Sequence, residues 1–128
     1  MGRGVCGFCV YQSIFQISVL VTPLEKLPVE AQICRVFGRK HCKMALAVSQ
    51  AENGTRVCSR VSKPNTNGSV DIGVFQINAS AHRNKASIEE LKDCVTNIKV
   101  AKQIFDSSGW HPWVVYQTGS YKRFYENN

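Results

Sequence analysis

The chain has 128 residues, enough to form one hydrophobic core and too few for two independent ones. Sixteen Lys and Arg against nine Asp and Glu give a formal net charge of +7, which favours anionic partners such as nucleic acid, anionic lipid or acidic wall polymers. The basic residues form neither a run nor a stripe interleaved with aromatic rings, so the pattern argues against a nucleic-acid-binding protein.

The first 27 residues differ in composition from the rest. After Arg3 the stretch "VCGFCVYQSIFQISVLV" is apolar apart from Gln and Ser, and no charge appears until Glu25. An apolar stretch of about 18 residues lies between the length of a signal-peptide core and that of a membrane-spanning helix. We therefore expect residues 1–27 to be an export signal or an N-terminal membrane anchor, and residues 28–128 to form the folded domain.

Cysteine content bears on the compartment, because six cysteines are many for a cytosolic chain of this size. The number favours an oxidising compartment, so we expect the protein to be secreted, or extracytoplasmic and membrane-anchored. Cys6 and Cys9 have the C-x-x-C spacing of a redox pair, but no βαβ pattern surrounds them. We expect incidental thiols there, with an anchored redox protein as the alternative.

Two helices are predicted after Pro28. The stretch "VEAQICRVFG" has apolar residues at helical spacing and ends in Gly38, which predicts a helix over Val29–Phe37. The stretch "HCKMALAVSQAENG" is apolar nearly all round and ends at the stop signal Asn53-Gly54. It predicts the central buried helix.

The second half of the chain predicts one hairpin followed by more helices. After the turn signal Asn67-Gly68, "SVDIGVFQIN" is rich in β-branched and aromatic residues, which predicts a small β-hairpin. Ser87 and Glu90 form a capping box at the start of "SIEELKDCVTNIKVAKQIFDSSG", which predicts one broken helix or two. A short helix from Pro112 and an aromatic tail should follow. The predicted fold class is α+β, mainly α, with a hairpin wing.

Four cysteines fall within this folded part. Cys34 and Cys42 flank the tight turn between the two first helices, which favours a local disulfide over a metal site that would include His41. Cys58 and Cys94 would then tether the loop before the hairpin to the helix that follows it.

Glu52 is the first candidate catalytic residue, because it lies on the last turn of the most apolar helix. Burial and the negative end of the helix dipole both raise the pKa of a carboxyl group. A carboxyl that stays protonated is what a general acid needs to protonate a glycosidic oxygen. The alternative is an exposed Glu in a fraying last turn.

Asp71 is the second candidate, set in the hairpin near polar Asn65, Asn67 and Ser69. Hydrogen bonds from such side chains favour the ionised form of a carboxylate. A neutral and an ionised carboxyl facing each other across a cleft are the arrangement that cleaves glycosidic bonds. The alternative for Asp71 is a residue that merely stabilises the turn.

These segments resemble the lysozyme superfamily, whose best-known member is itself the standard example of such a carboxylate pair. The stretch "NTNGSVDIGVFQIN" resembles the chicken-type lysozyme pattern N-T-D-G-S-T-D-Y-G-I-L-Q-I-N, and "ALAVSQAENG" is similar to the segment that ends in the catalytic Glu. The resemblance implies that Glu52 and Asp71 are the catalytic acids and that Asn65 supports Asp71. It also implies that Gln76 and Asn78 line the cleft, Asn78 through its backbone.

The later stretch "DCVTNIKVAKQIFDSSGWHPWVVYQTGSY" is more similar to lytic transglycosylases of the soluble (SLT) type. Trp113 matches the lysozyme Trp that packs on the catalytic Glu. Tyr116 and Gln117 stand where transglycosylases have Tyr-Asn, and His82 stands where chicken-type enzymes have a sugar-stacking Trp. The resemblance therefore adds these four residues to the expected substrate-binding set.

The resemblance extends from Val29 to Phe124 and implies a lysozyme-like catalytic domain over residues 28–128. It implies an exported, monomeric muramidase that cleaves the β-1,4 bond between N-acetylmuramic acid (MurNAc) and N-acetylglucosamine (GlcNAc) in peptidoglycan strands, without a cofactor or metal. Hydrolysis and lytic transglycosylation both remain open at this point. A non-catalytic glycan-binding or regulatory relative is the alternative, and membrane contact is expected only through the N-terminal segment.

Overall fold

The protein is described here by a computed structural model covering residues 22–127. This part of the chain contains a 3-10 turn at Leu24–Lys26, six α-helices and one two-stranded antiparallel sheet, so the predicted α+β, mainly α class is confirmed. The elements in chain order are α1 (Val29–Phe37), α2 (Arg39–Glu52), β1 (Asp71–Ile72), β2 (Ile77–Asn78), α3 (Ile88–Leu91), α4 (Cys94–Ser108), α5 (Val114–Thr118) and α6 (Lys122–Tyr125).

Most of the predicted targeting segment, including Cys6 and Cys9, lies outside the described residues. Its last residues lie against the domain: Leu27 is buried, and the Gln32 side-chain amide donates a hydrogen bond of 3.0 Å to the Leu27 carbonyl. Within residues 22–127 no helix has the length and apolar character needed to cross a membrane. The division at residue 27 stays a prediction.

Helices α1 and α2 pack together across a sharp turn at Gly38. Gly38 has φ 82°, a conformation that side chains with a Cβ rarely adopt, so glycine suits the turn. The predicted Cys34–Cys42 disulfide closes this turn, with the two Cα atoms 4.4 Å apart. Ala45 and Val48 of α2 are fully buried, which confirms α2 as a core helix.

The hairpin wing, residues 61–78, consists of two consecutive turns, one on each side of strand β1. Asn65 to Ser69 forms the first turn, since the Gly68 N–H donates to the Asn65 carbonyl at 2.9 Å, as the Asn67-Gly68 signal predicted. Val61 and Ile72 form an isolated bridge behind it. A second turn, which the sequence did not predict, links β1 to β2.

In this sheet Asp71 lies opposite Asn78, and Ile72 lies opposite Ile77. Ile72 and Ile77 are buried, whereas Asp71 and Asn78 are half-buried. The hairpin therefore packs its isoleucines on the core and keeps a polar pair at the surface of the domain.

The helical segment after the wing divides into two helices, α3 and α4. The capping box at Ser87 and Glu90 is present, with both reciprocal hydrogen bonds. Asp93 then caps α4 by accepting from the Thr96 N–H at 3.0 Å. The predicted Cys58–Cys94 disulfide joins the loop before the wing to the start of α4.

Asn97 of α4 holds the turn between the two strands. Its buried amide donates to the carbonyls of Ile72 (2.8 Å) and Leu91 (2.9 Å), and its oxygen accepts from the Phe75 N–H (3.0 Å). Gly73 lies so close that a Cβ there would come 2.4 Å from the Asn97 side-chain nitrogen. Hydrogen bonds to a buried amide thus fix the wing on the helical core.

The C-terminal helices differ in detail from the prediction. Helix α5 begins at Val114, with Trp113 as its N-cap, rather than at Pro112, and it ends before Gly119 at φ 83°. The chain then forms α6 where only an aromatic tail was predicted, and α6 packs on α2.

Candidate active site

A cleft of about 340 Å³ lies between the end of α2 and the β wing. It brings together most of the residues that the sequence singled out, from four different parts of the chain. The described residues that line it are Glu52, Asn65, Asp71, Gln76, Ile77, Asn78, His82, Ile104, Pro112, Trp113 and Val114.

Glu52 is the last residue of α2, at the negative end of the helix dipole. Burial is the main cause that raises the pKa of its carboxyl group from 4.5 to about 7, and the negative charge of Asp71 raises it further. The positive charge of Arg60 acts in the opposite direction. Glu52 is therefore largely protonated in mildly acidic solution, as a general acid must be.

Asp71 lies in the same cleft in a polar environment. The side-chain amide of Asn78 donates to the Asp71 Oδ1 at 2.9 Å, and the amide of Asn65 lies at 3.5 Å from the same oxygen. The Asp71 N–H donates to the Ser62 hydroxyl at 2.9 Å. The two amides thus hold the Asp71 carboxylate in a fixed orientation within the cleft.

Ser69 and Asn67 contribute indirectly. The sequence led us to expect that both would donate to Asp71, but the Ser69 hydroxyl accepts from the amides of Asn65 (3.1 Å) and Asn78 (3.0 Å). The same hydroxyl donates to the Asn67 side-chain oxygen at 2.6 Å. Ser69 therefore orients the two amides that face Asp71.

Trp113 forms one wall of the cleft and is almost fully buried. Its indole N–H donates to the Phe75 carbonyl at 3.1 Å, which fixes the ring beside the turn between the strands. Trp113 therefore gives an apolar wall to the cleft that Glu52 also lines.

Gln76 and His82 complete the polar lining. Gln76 has φ 49°, and its side-chain amide donates to the Gly73 carbonyl at 3.0 Å. Burial and, to a smaller extent, the charge of Lys85 lower the pKa of His82, which favours a neutral imidazole. A neutral imidazole can donate and accept hydrogen bonds to sugar hydroxyls.

A protein-family model matches the part of the chain that contains most of this cleft. The family model SLT_3, described as a lysozyme-like domain, matches residues 32–115. The chain belongs to this lysozyme-like family. A search of curated proteins finds no match to the chain. Glu52, Asp71 and Trp113 all lie inside the matched segment of the lysozyme-like domain.

Two residues that the resemblance had assigned to substrate lie elsewhere in the lysozyme-like domain. Tyr116 and Gln117 are not among the described residues that line the cleft. The Tyr116 ring stacks on Tyr121 with a centroid distance of 5.1 Å, and the Gln117 amide donates to the His111 carbonyl at 2.6 Å. Both side chains are thus engaged in contacts around α5.

Asn53 and Arg60 are site residues that the sequence reasoning missed. Asn53, considered only as a helix stop, is fully buried, and its amide donates to the carbonyls of Val57 (2.9 Å) and Gly73 (3.2 Å). These bonds tie the chain immediately after Glu52 to the β wing. Arg60 acts on Glu52 through its charge, and no local pattern in the sequence marks either role.

The metal alternative at His41 does not fit this lysozyme-like domain. Cys42 is in the disulfide, and the His41 ring packs edge-on against Phe105 with centroids 4.7 Å apart. Among residues 22–127, no group of three or more His, Cys, Asp or Glu residues is arranged to hold a metal ion.

Proposed function

We propose that this protein is a muramidase that cleaves the β-1,4 bond between MurNAc and GlcNAc in peptidoglycan. The observation that carries the proposal is the pairing of two different carboxyl groups in one cleft. Glu52 is half-buried and burial raises its carboxyl pKa to about 7, whereas the Asp71 carboxylate accepts an amide hydrogen bond from Asn78. Membership of the lysozyme-like family, a peptidoglycan-lytic superfamily, supports the same chemistry.

In the proposed reaction, protonated Glu52 donates its proton to the oxygen of the glycosidic bond. The bond to the anomeric carbon breaks, and the ionised Asp71 stabilises the oxocarbenium-like centre or attacks it. Glu52, now a carboxylate, accepts a proton from water as the water oxygen bonds to the anomeric carbon. That step returns both carboxyl groups to their starting states.

We favour hydrolysis over lytic transglycosylation because Asp71 has hydrogen-bonding support. A carboxylate held by Asn78 can stabilise the cationic centre until water arrives. The specific observation in favour of transglycosylation is the match to an SLT-type family. In that reaction the muramic 6-hydroxyl attacks the anomeric carbon, and Glu52 accepts its proton.

A non-catalytic glycan-binding relative is the alternative from another class. A carboxyl group kept protonated by burial lowers the stability of the folded protein at pH values above its ordinary pKa. A protein that only binds glycans gains nothing in return for this loss. The raised pKa of Glu52 therefore favours an enzyme.

The setting of the proposed activity is outside the cytosol. Both disulfides fit an extracytoplasmic location. The net charge of +7 would promote association with anionic wall polymers and would make that association weaker at high salt.

The direct test is Glu52→Gln, which keeps the shape of the side chain and removes the proton donor. We expect turnover of purified peptidoglycan to fall by about 10²–10⁴-fold while binding of chitooligosaccharide persists. Glu89→Gln is the matched control, since Glu89 is an exposed acid paired with Lys92 on α3. Turnover by Glu52→Gln within about threefold of the wild type would overturn the assignment.

A further inference from the structure

A second cavity, of about 600 Å³, meets the first cleft at Glu52. Glu52 is the one residue that appears in the described lining of both cavities. A volume of this size is typical of a ligand site. The described residues that line the second cavity are Gln50, Ala51, Glu52, Gly54, Arg60, Ser120, Arg123 and Phe124.

The charge of this second cavity is positive. Arg60 and Arg123 are exposed, and neither takes part in an ion pair among residues 22–127. Glu52 is the one acid among the described lining residues, and burial favours its neutral form by raising its pKa to about 7. The cavity therefore presents two guanidinium groups without a compensating carboxylate.

Both guanidinium groups have contacts that restrict their positions. Arg60 donates to the Asn53 side-chain oxygen at 3.5 Å, and the Arg123 guanidinium lies 4.6 Å from the centroid of the Phe124 ring. An Arg side chain has five N–H donors, so each keeps donors that can reach a ligand. Stacking on an aromatic ring also reduces the side-chain entropy lost on binding.

The position of Glu52 determines which part of a glycan would occupy each cavity, if the proposed function holds. Glu52 protonates the glycosidic oxygen, so the sugars on the two sides of that bond lie in the two cavities. Asp71 lines the first cleft, and the sugar whose anomeric carbon becomes cationic must lie beside it. The leaving part of the chain then belongs in the second cavity.

We propose that Arg60 and Arg123 bind a carboxylate carried by the leaving part of the glycan chain. After cleavage on the reducing side of MurNAc, this part begins with GlcNAc and continues with the next MurNAc. Where a stem peptide is attached to the lactyl group of that MurNAc, the peptide supplies the carboxylates. Where no peptide is attached, the lactyl group itself ends in a carboxylate. Guanidinium groups bind carboxylates through paired, charge-assisted hydrogen bonds. This proposal rests on the proposed function for the orientation of the chain.

The test measures equilibrium binding in the Glu52→Gln protein, where ligands stay intact. The ligands are a MurNAc–GlcNAc tetrasaccharide with stem peptides, the same tetrasaccharide after an amidase has removed the peptides, and neutral chitotetraose. Adding Arg60→Gln and Arg123→Gln should raise the Kd for the peptide-bearing ligand by about tenfold and the Kd for chitotetraose by less than about twofold. In the peptide-bearing ligand the lactyl carboxyl is bonded in the amide to the peptide, so a rise there reports the peptide carboxylates. A rise with the amidase-treated ligand reports the lactyl carboxylate that the amidase has freed.

The control for net charge replaces two other exposed arginines, Arg39→Gln and Arg83→Gln. Arg83 lines a different cavity whose described lining does not include Glu52, and Arg39 begins α2. An equal loss of chitotetraose binding, or an equal loss with the control pair, would overturn the proposal. Turnover of the tetrasaccharide by wild-type protein is measured separately, so a failure of the proposed function is distinguishable from a failure of this one.

Discussion

Asn78 places its side-chain amide nitrogen 2.9 Å from the Oδ1 of Asp71, directly across the hairpin. The two residues are register partners in the sheet, so the backbone pairing itself brings their side chains together. Resemblance to lysozymes had implied a backbone role for Asn78. The structure adds a side-chain role, which is to hold the carboxylate proposed to stabilise the reacting sugar.

Asp71→Asn should therefore cost much of the rate if water completes the reaction. We expect kcat to fall by about 10²–10³-fold, as for other groups that stabilise charge in the transition state. Asp106→Asn is the matched control, because Asp106 pairs with Lys102 on the exposed side of α4. An Asp71→Asn protein that stays highly active and releases fragments ending in 1,6-anhydro rings would show that the reaction is lytic transglycosylation rather than hydrolysis.

Glu52→Gln should also change the pH dependence of stability. The carboxyl pKa is 4.5 in its ordinary state and about 7 in the folded protein, so the folded state binds the extra proton between these values. Stability then falls as pH rises from about 4.5 to about 7, by at most about 1.4 kcal/mol per pH unit. Gln does not titrate, so the variant lacks this loss.

Urea unfolding at pH 4 and pH 8 measures this effect. Relative to the wild type, Glu52→Gln should gain roughly 1–3 kcal/mol between pH 4 and pH 8. The Glu89→Gln control should show no comparable gain. A Glu52→Gln variant whose stability follows the wild type across this range would show that the Glu52 pKa is not raised.

Asn97→Ala should destabilise the fold by leaving three buried backbone groups without partners. These are the carbonyls of Ile72 and Leu91 and the N–H of Phe75. We expect a loss of about 2–4 kcal/mol in the free energy of unfolding. Gln103→Ala on the exposed side of the same helix should change it by less than about 0.5 kcal/mol. Equal effects of the two changes would contradict the role of Asn97.

The two disulfides should contribute unequally. Their cysteines are 8 and 36 positions apart, and a longer closed loop loses more entropy on cross-linking in the unfolded state. Loop-entropy reasoning gives about 2.5 kcal/mol for Cys34–Cys42 and about 4 kcal/mol for Cys58–Cys94. Peptide mapping of unreduced protein checks the pairing, and unfolding of Ser-for-Cys double variants checks the order. Free thiols at all four positions would contradict both.

The parts of the site that the sequence predicted are those set by local rules. Apolar residues at helical spacing placed Glu52 at the end of a buried helix, and Ser87 with Glu90 marked the start of α3. Asn67-Gly68 marked a turn that the structure contains. Each of these depends on residues within one or two turns of the chain.

The parts that the sequence did not predict depend on contacts between distant segments. Asn97 holds a turn more than twenty positions away, and Arg123 reaches the Glu52 region only because α6 packs on α2. Tyr116 matched a family motif by position, but its ring stacks on Tyr121, which belongs to a turn that the sequence did not predict. Such contacts have no local signal in a single sequence.

Mass spectrometry of the fragments released from purified peptidoglycan tests the central claim most directly. The wild-type protein with both disulfides formed should release fragments that end in reducing MurNAc, and Glu52→Gln should release almost none. Fragments that end in 1,6-anhydro rings, lighter by one water, would contradict hydrolysis while leaving Glu52 as the acid. Release of no fragments by the wild type, or equal release by Glu52→Gln, would contradict the proposed function itself.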